Sequence, residues 1–215
     1  MTRLIPNILT FGRFVLTIVF LVIILDLPYI GNKHAFLDTA FVLFIIAAIT
    51  DMIDGALARK FNVASKFGRM MDPLVDKILV CGAFVCFAII GEPKLFNLPE
   101  AVQGIIRWSV AGVTILREVY VTVLRHIAEA KGIDFAATAS GKIKMFLQSF
   151  AIGVVIIKSA YVPNAEWGHW FMVITFAVML IVTVISGIRA TQRPSWKKVV
   201  SPEPERFRAG TNQGS

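Results

Sequence analysis

Long stretches of this chain carry no charge, and that constrains its fold more than any other feature. Runs of about 18 or more apolar residues read as helices that cross a membrane. Six such spans are predicted near residues 8–26, 35–56, 74–91, 104–125, 145–162 and 168–188. Hydrophobic residues make up 56% of the chain, and the mean hydropathy of +0.72 excludes an ordinary soluble domain. Backbone polar groups must be bonded within the chain when no water is present, so the expected fold class is all-α: an integral membrane bundle of six transmembrane helices. Residues 1–10 are expected to include a short interfacial segment that runs into the first span. That first apolar run lacks a small-residue cleavage site and is long enough to span, so it reads as a helix rather than a signal peptide. The fourth span departs from the pattern because Arg107, Arg117 and Glu118 fall inside it.

The loops set the expected orientation. Most of the 22 basic residues fall at one side, in runs such as Arg59, Lys60, Lys66 and Arg69, then Arg125, Lys131, Lys142 and Lys144, then Arg189, Arg193, Lys197 and Lys198. Lys33, Lys94, Arg107 and Lys158 stand at the other. The positive-inside rule then puts both termini in the cytoplasm. The net charge of +8 is accounted for by this topology and by attraction to anionic headgroups, with no call for nucleic acid. Cys81 and Cys86 lie five apart inside one span and read as small packing residues, and no two histidines have metal-ligand spacing. The chain divides into a membrane domain, 1–190, and a polar, Pro-rich tail, 191–215, where Trp196 before two lysines suits a headgroup anchor.

Four carboxylates interrupt this apolar text. Asp51 and Asp54 end the second span, and Asp72 and Asp76 open the third, at spacings of 3, 18 and 4. Acids beside a bilayer are costly unless paired or metal-bound, so they mark a functional site. On a helix each pair shares a face. Pro73 suits a first helical position, which makes Asp72 the expected cap of the third span. The connection from Ala58 to Met71 is long enough to bring the two helix ends together. All-oxygen ligation favours Mg²⁺ or Mn²⁺ over Zn²⁺. Four carboxylates suffice for two ions about 3.5–4 Å apart, the arrangement that clamps attacking and leaving oxygens in phosphoryl-type transfer. Gly55, Ala58 and Gly68 let a bulky anion approach the backbone, and Arg59 supplies a planar fork for phosphate. Taken singly, these also read as helix-packing and positive-inside residues.

The string Asp51, Asp54, Gly55, Ala58, Arg59, Gly68, Asp72, Asp76 resembles the signature of the CDP-alcohol phosphatidyltransferases at every fixed position. The resemblance covers about residues 4–190. It implies a six-helix membrane fold with a polar cavity facing the cytoplasm, a homodimer, and the inner (cytoplasmic) membrane as location. It implies that Asp51, Asp54 and Asp72 ligate the metals and that Asp76 binds metal and deprotonates the acceptor hydroxyl, although Asp76 also reads as a ligand alone. Asp54, Gly55, Ala58, Arg59 and Gly68 would hold the CDP moiety of CDP-diacylglycerol, with CMP as the leaving group.

The acceptor has to come from the rest of the chain. Arg117 and Arg125 lie two helical turns apart, with Glu118 beside the first, and Gly141, Lys142 and Lys144 precede the fifth span. Together they suit an acceptor that carries a phosphate, or else form a structural Arg117–Glu118 pair with inside-loop lysines. These strings, with the Ile5–Thr10 segment and Arg13, resemble the phosphatidylglycerophosphate synthase branch of the family, apart from Met145, where that branch often has Thr. The resemblance implies sn-glycerol 3-phosphate as acceptor, held by Arg117, Arg125 and Lys142, with Asn7, Thr10 and Arg13 near the mouth of the site. Inositol phosphate, serine and phosphatidylglycerol stay open as acceptors. A divalent-cation transporter is the competing class, which would place its acids near mid-membrane.

Overall fold

The computed structural model describes residues 5–61, 66–131 and 139–192, apart from the side chains at 5–9, 51–61, 66–70, 72, 139–140 and 142. Its elements are α1 (Ile5–Asp26), a 3₁₀ turn (Leu27–Tyr29), α2 (Lys33–Phe61), α3 (Lys66–Ile90), α4 (Glu100–Ala130), α5 (Ala139–Tyr161) and α6 (Glu166–Thr191). No strand occurs among the described residues. Five segments, one each in α1, α2, α3, α5 and α6, are long and apolar enough to cross a membrane. The chain is an all-helical, multi-pass membrane protein.

The helix α4 fails that test because its polarity is turned inward. Gln103, Arg107, Thr114 and Glu118 are buried, whereas Ile105, Leu116, Val119 and Val123 are exposed. At 31 residues it is about 46 Å long, more than the hydrocarbon thickness of a bilayer.

In the core α1 lies against α2 and α3, α3 against α4 and α5, α2 against α5, and α6 against α4 and α5. Phe20 meets Phe44 with ring centroids 5.7 Å apart, and Phe84 meets Phe176 at 6.4 Å. Gly82 permits the close approach of α1 and α3, because a Cβ there would stand 2.8 Å from Leu21 Cδ1. The segment 91–99 is stitched across one end of the bundle. Arg107 Nη1 donates to Gly91 O at 2.7 Å, Lys158 Nζ to Lys94 O at 2.7 Å, and Phe96 N to His169 Nδ1 at 3.0 Å. These bonds put the end of α3, the starts of α4 and α6 and the end of α5 at one level, so α4 and α6 run antiparallel to α3 and α5.

The helices reach beyond the predicted spans. The start of α1 at Ile5 makes the segment expected ahead of the first span the opening turns of the same helix. The second and third helices also grow into the connection expected between Ala58 and Met71, where only residues 62–65 fall outside the described helices. The expected capping role of Asp72 is therefore wrong. α3 begins at Lys66 and Pro73 lies inside it, so Asp72 is an interior helical residue and Pro73 merely leaves one backbone bond unmade. Both cysteines are free thiols, as expected of packing residues. The tail from 193, with Trp196, lies outside the described residues.

Candidate active site

Near the end opposite the stitched segment, four helices enclose a cavity of about 230 Å³. Arg13 comes from α1; Phe44, Ala47 and Ala48 from α2; Val75, Asp76 and Leu79 from α3; and Met145, Phe146 and Ser149 from α5. Most of this wall is apolar, and Asp76 is its one carboxylate among the described residues. The two alanines of α2 keep the space open where larger side chains would fill it. Asp51 stands one turn beyond Ala47 on α2, and Asp72 one turn before Asp76 on α3. Two of the helices that line the cavity, α2 and α3, are thus the helices that carry the four aspartates.

Of the predicted metal and CDP residues, Asp76 is the one with a described side chain. The side chains of Asp51, Asp54, Gly55, Ala58, Arg59, Gly68 and Asp72 lie outside the described residues, as do those of Asn7 and Lys142. Thr10 and Arg13 are both buried, and Arg13 forms part of the cavity wall at 2% exposure. Asp76 lies within electrostatic reach of Lys144, Arg13, Glu118 and Lys77.

Beside Asp76 stands a buried ion network. Glu118 Oε1 accepts from Arg117 Nη1 at 3.0 Å and from Lys144 Nζ at 2.5 Å. The other arm of Arg117, Nη2, donates to Ser186 Oγ at 2.6 Å. Lys77 Nζ donates to Thr122 Oγ1, which donates to Glu118 O, each at 2.5 Å. One carboxylate thus orients two cations, and the network joins α3, α4, α5 and α6. Arg125 is half-buried two turns further along α4. The Arg117–Glu118 pair read from the sequence is present, and Glu118 does orient the arginine.

Two partners escaped the sequence reading, Ser186 and Thr122, as did the burial of Lys144. The signal for Lys144 was present, since a lysine opening an apolar span with Gln148 four residues on marks a polar face turned inward. Ser186 carried no signal of its own, because serine is common wherever membrane helices pack.

A family model described as CDP-alcohol phosphatidyltransferase matches residues 3–186. The chain belongs to the CDP-alcohol phosphatidyltransferase family. Among its relatives, a "Probable phosphatidylglycerophosphate synthase" of Mycobacterium tuberculosis is 36% identical over 183 residues, covering 85% of this chain and 77% of the relative. A "CDP-diacylglycerol--glycerol-3-phosphate 3-phosphatidyltransferase" of Bacillus subtilis is 34% identical over 196 residues, covering 85% and 90%. A protein of the same name from Shigella flexneri is 32% identical over 187 residues, covering 86% and 91%. In this member of the CDP-alcohol phosphatidyltransferases, the signature lies on α2 and α3, and the ion network stands within electrostatic reach of its last residue, Asp76.

Proposed function

We propose that this chain transfers the phosphatidyl group of CDP-diacylglycerol to sn-glycerol 3-phosphate, giving phosphatidylglycerol phosphate and CMP. The observation that carries the reading is a half-buried carboxylate, Asp76, at the wall of an apolar cavity and in reach of a cationic network. The apolar cavity suits the diacylglycerol side of the donor, the network suits an anionic acceptor, and Asp76 stands between them. The names of the relatives favour glycerol 3-phosphate as that acceptor. Serine carries no phosphate, and its single carboxylate charge makes less use of the cations than a phosphate would.

In this reading the acceptor hydroxyl oxygen bonds to the phosphorus that bears the diacylglycerol. The bond from that phosphorus to the oxygen shared with CMP breaks, and CMP leaves. Asp76 takes the hydroxyl proton, and Lys144 and Arg13 keep its carboxylate paired with positive charge. Arg117 and Lys144, one cation in excess of Glu118, hold the acceptor phosphate together with Arg125 and Lys142. Arg59, with the backbone at Gly55, Ala58 and Gly68, holds the CDP phosphates. The donor set at the aspartates is all carboxylate, which fits hard divalent cations, and Asp51, Asp54, Asp72 and Asp76 would hold two of them, Mg²⁺ or Mn²⁺. When bound, such ions neutralise pyrophosphate and the charge that develops on CMP.

The inward polarity of α4 supports counting it as the sixth span. The excess of basic residues at the aspartate end supports a cytoplasm-facing site in the inner membrane. The same reading has residues 1–190 as the catalytic domain, 191–215 as a cytoplasmic tail, and the chain working as a homodimer. The segment 91–99 bonds α4, α5 and α6 together at the far end, which argues against a transport path through the bundle.

The test is CMP release by purified protein with CDP-diacylglycerol and Mg²⁺, comparing glycerol 3-phosphate with inositol phosphate, serine and phosphatidylglycerol. Release that requires glycerol 3-phosphate is expected. Faster release with another acceptor would overturn the assignment of the cationic network.

A further inference from the structure

One helical turn from the ion network, toward the stitched end, the same helices carry polar residues that the reaction above does not use. Gln148 follows Lys144 by four residues on α5, Thr114 precedes Glu118 by four on α4, and Thr183 precedes Ser186 by three on α6. Because α5 runs antiparallel to α4 and α6, these three offsets reach the same level of the bundle. All three residues are 0% exposed. The hydroxyls of Thr114 and Thr183 and both amide atoms of Gln148 have no hydrogen-bond partner among the described residues.

Orphaned polar atoms are rare in folded interiors, and four at one level call for a cause. A threonine in a membrane helix ordinarily bonds the carbonyl four residues back. Thr50 does so to Ile46 O at 2.8 Å, and Thr175 to Phe171 O at 2.7 Å. Thr114 and Thr183 make no such bond. One turn further toward the stitched end the bundle is closed by Val110, Ile152 and Met179, which are buried and apolar. The polar level is therefore bounded by charges on one side and by a dry plug on the other. An amide needs both a donor and an acceptor, and three helices supply the several polar partners that a buried water requires.

We propose that ordered water occupies this level, bridging Gln148, Thr114 and Thr183, and holds the Glu118–Lys144 pair in position for the acceptor phosphate. Gln148 is then a positioning residue. It touches no substrate and acts through Lys144, one turn away on the same helix face. The inference rests on the reading that Lys144 serves the acceptor.

The test is the variant Gln148→Leu, which nearly preserves volume and removes the amide. It is expected to raise KM for glycerol 3-phosphate about tenfold, with kcat and KM for CDP-diacylglycerol unchanged. Gln148→Asn, which keeps an amide that water can reach, is expected to stay within about twofold of wild type. A dry orphan behaves in the opposite way: Gln148→Leu would raise the melting temperature and leave both KM values alone, overturning the proposal. An equal rise in both KM values would overturn it as well. Should Gln148→Leu fail to fold, the isosteric pair Thr114→Val and Thr183→Val carries the same expectations. Lys144→Met separates the two readings. If it raises KM for glycerol 3-phosphate while Gln148→Leu does not, the hydrated level alone fails. If Lys144→Met also leaves that KM unchanged, the acceptor reading fails and takes this inference with it.

Discussion

Removing the charge of Glu118 probes the ion network most sharply. Its Oε1 receives both Arg117 and Lys144, and Lys144 is only 4% exposed. Glu118→Gln keeps the shape and strips the carboxylate charge that both cations share. Taking one partner from a buried pair costs about 3–5 kcal/mol, because the other charge stays buried and uncompensated. A protein of this size loses about 2–4 °C of melting temperature per kcal/mol, so the midpoint should fall by roughly 6–20 °C. Tryptophan fluorescence on heating in detergent reads this directly, since the chain has four tryptophans. Replacing both partners, Glu118→Leu with Lys144→Met, exchanges the pair for apolar volume. Such exchanges are often neutral or stabilising, but Arg117 stays in place without its carboxylate, so the double variant should recover part of the loss. A fall of under about 3 °C for Glu118→Gln, with a double variant no more stable than the single one, would refute the claim that Glu118 compensates these cations.

Two further outcomes follow from the site. Asp54→Asn should lower CMP release by about a thousandfold or more by removing a metal ligand, and full activity in that variant would sink the metal assignment. Ala48→Phe should fill the cavity and raise KM for CDP-diacylglycerol about tenfold while leaving KM for glycerol 3-phosphate unchanged. A change confined to glycerol 3-phosphate would move the donor out of that cavity.

The fold was legible wherever hydropathy alone decides. Five of the six expected spans fall on segments apolar enough to cross a membrane, and α4 does not pass on hydropathy; boundaries were drawn short because helices continue into charged text, as α2 does to Phe61. Pro73 misled, since proline opens helices more often than it sits inside them, and the continuation of α3 back to Lys66 has no strong local signal. The spacing of the aspartates matches the helical repeat, and of the four only Asp76 has a described side chain. Arg117 with Glu118 was visible as a pair of charges inside a span. The partners Ser186 and Thr122 were not, because which hydroxyl meets a given cation depends on how α3, α4 and α6 pack. The polar level at Gln148, Thr114 and Thr183 was hidden for the same reason. Its three members lie far apart in sequence, and only the antiparallel register brings them to one depth.

The most direct test of the central claim is the incorporation of labelled glycerol 3-phosphate into lipid by the purified protein, given CDP-diacylglycerol and Mg²⁺. Label should enter the lipid in step with CMP release, and both should stop with EDTA and return with added Mg²⁺ or Mn²⁺. CMP released without label entering lipid, or incorporation indifferent to EDTA, would contradict metal-assisted phosphatidyl transfer to glycerol 3-phosphate at this site.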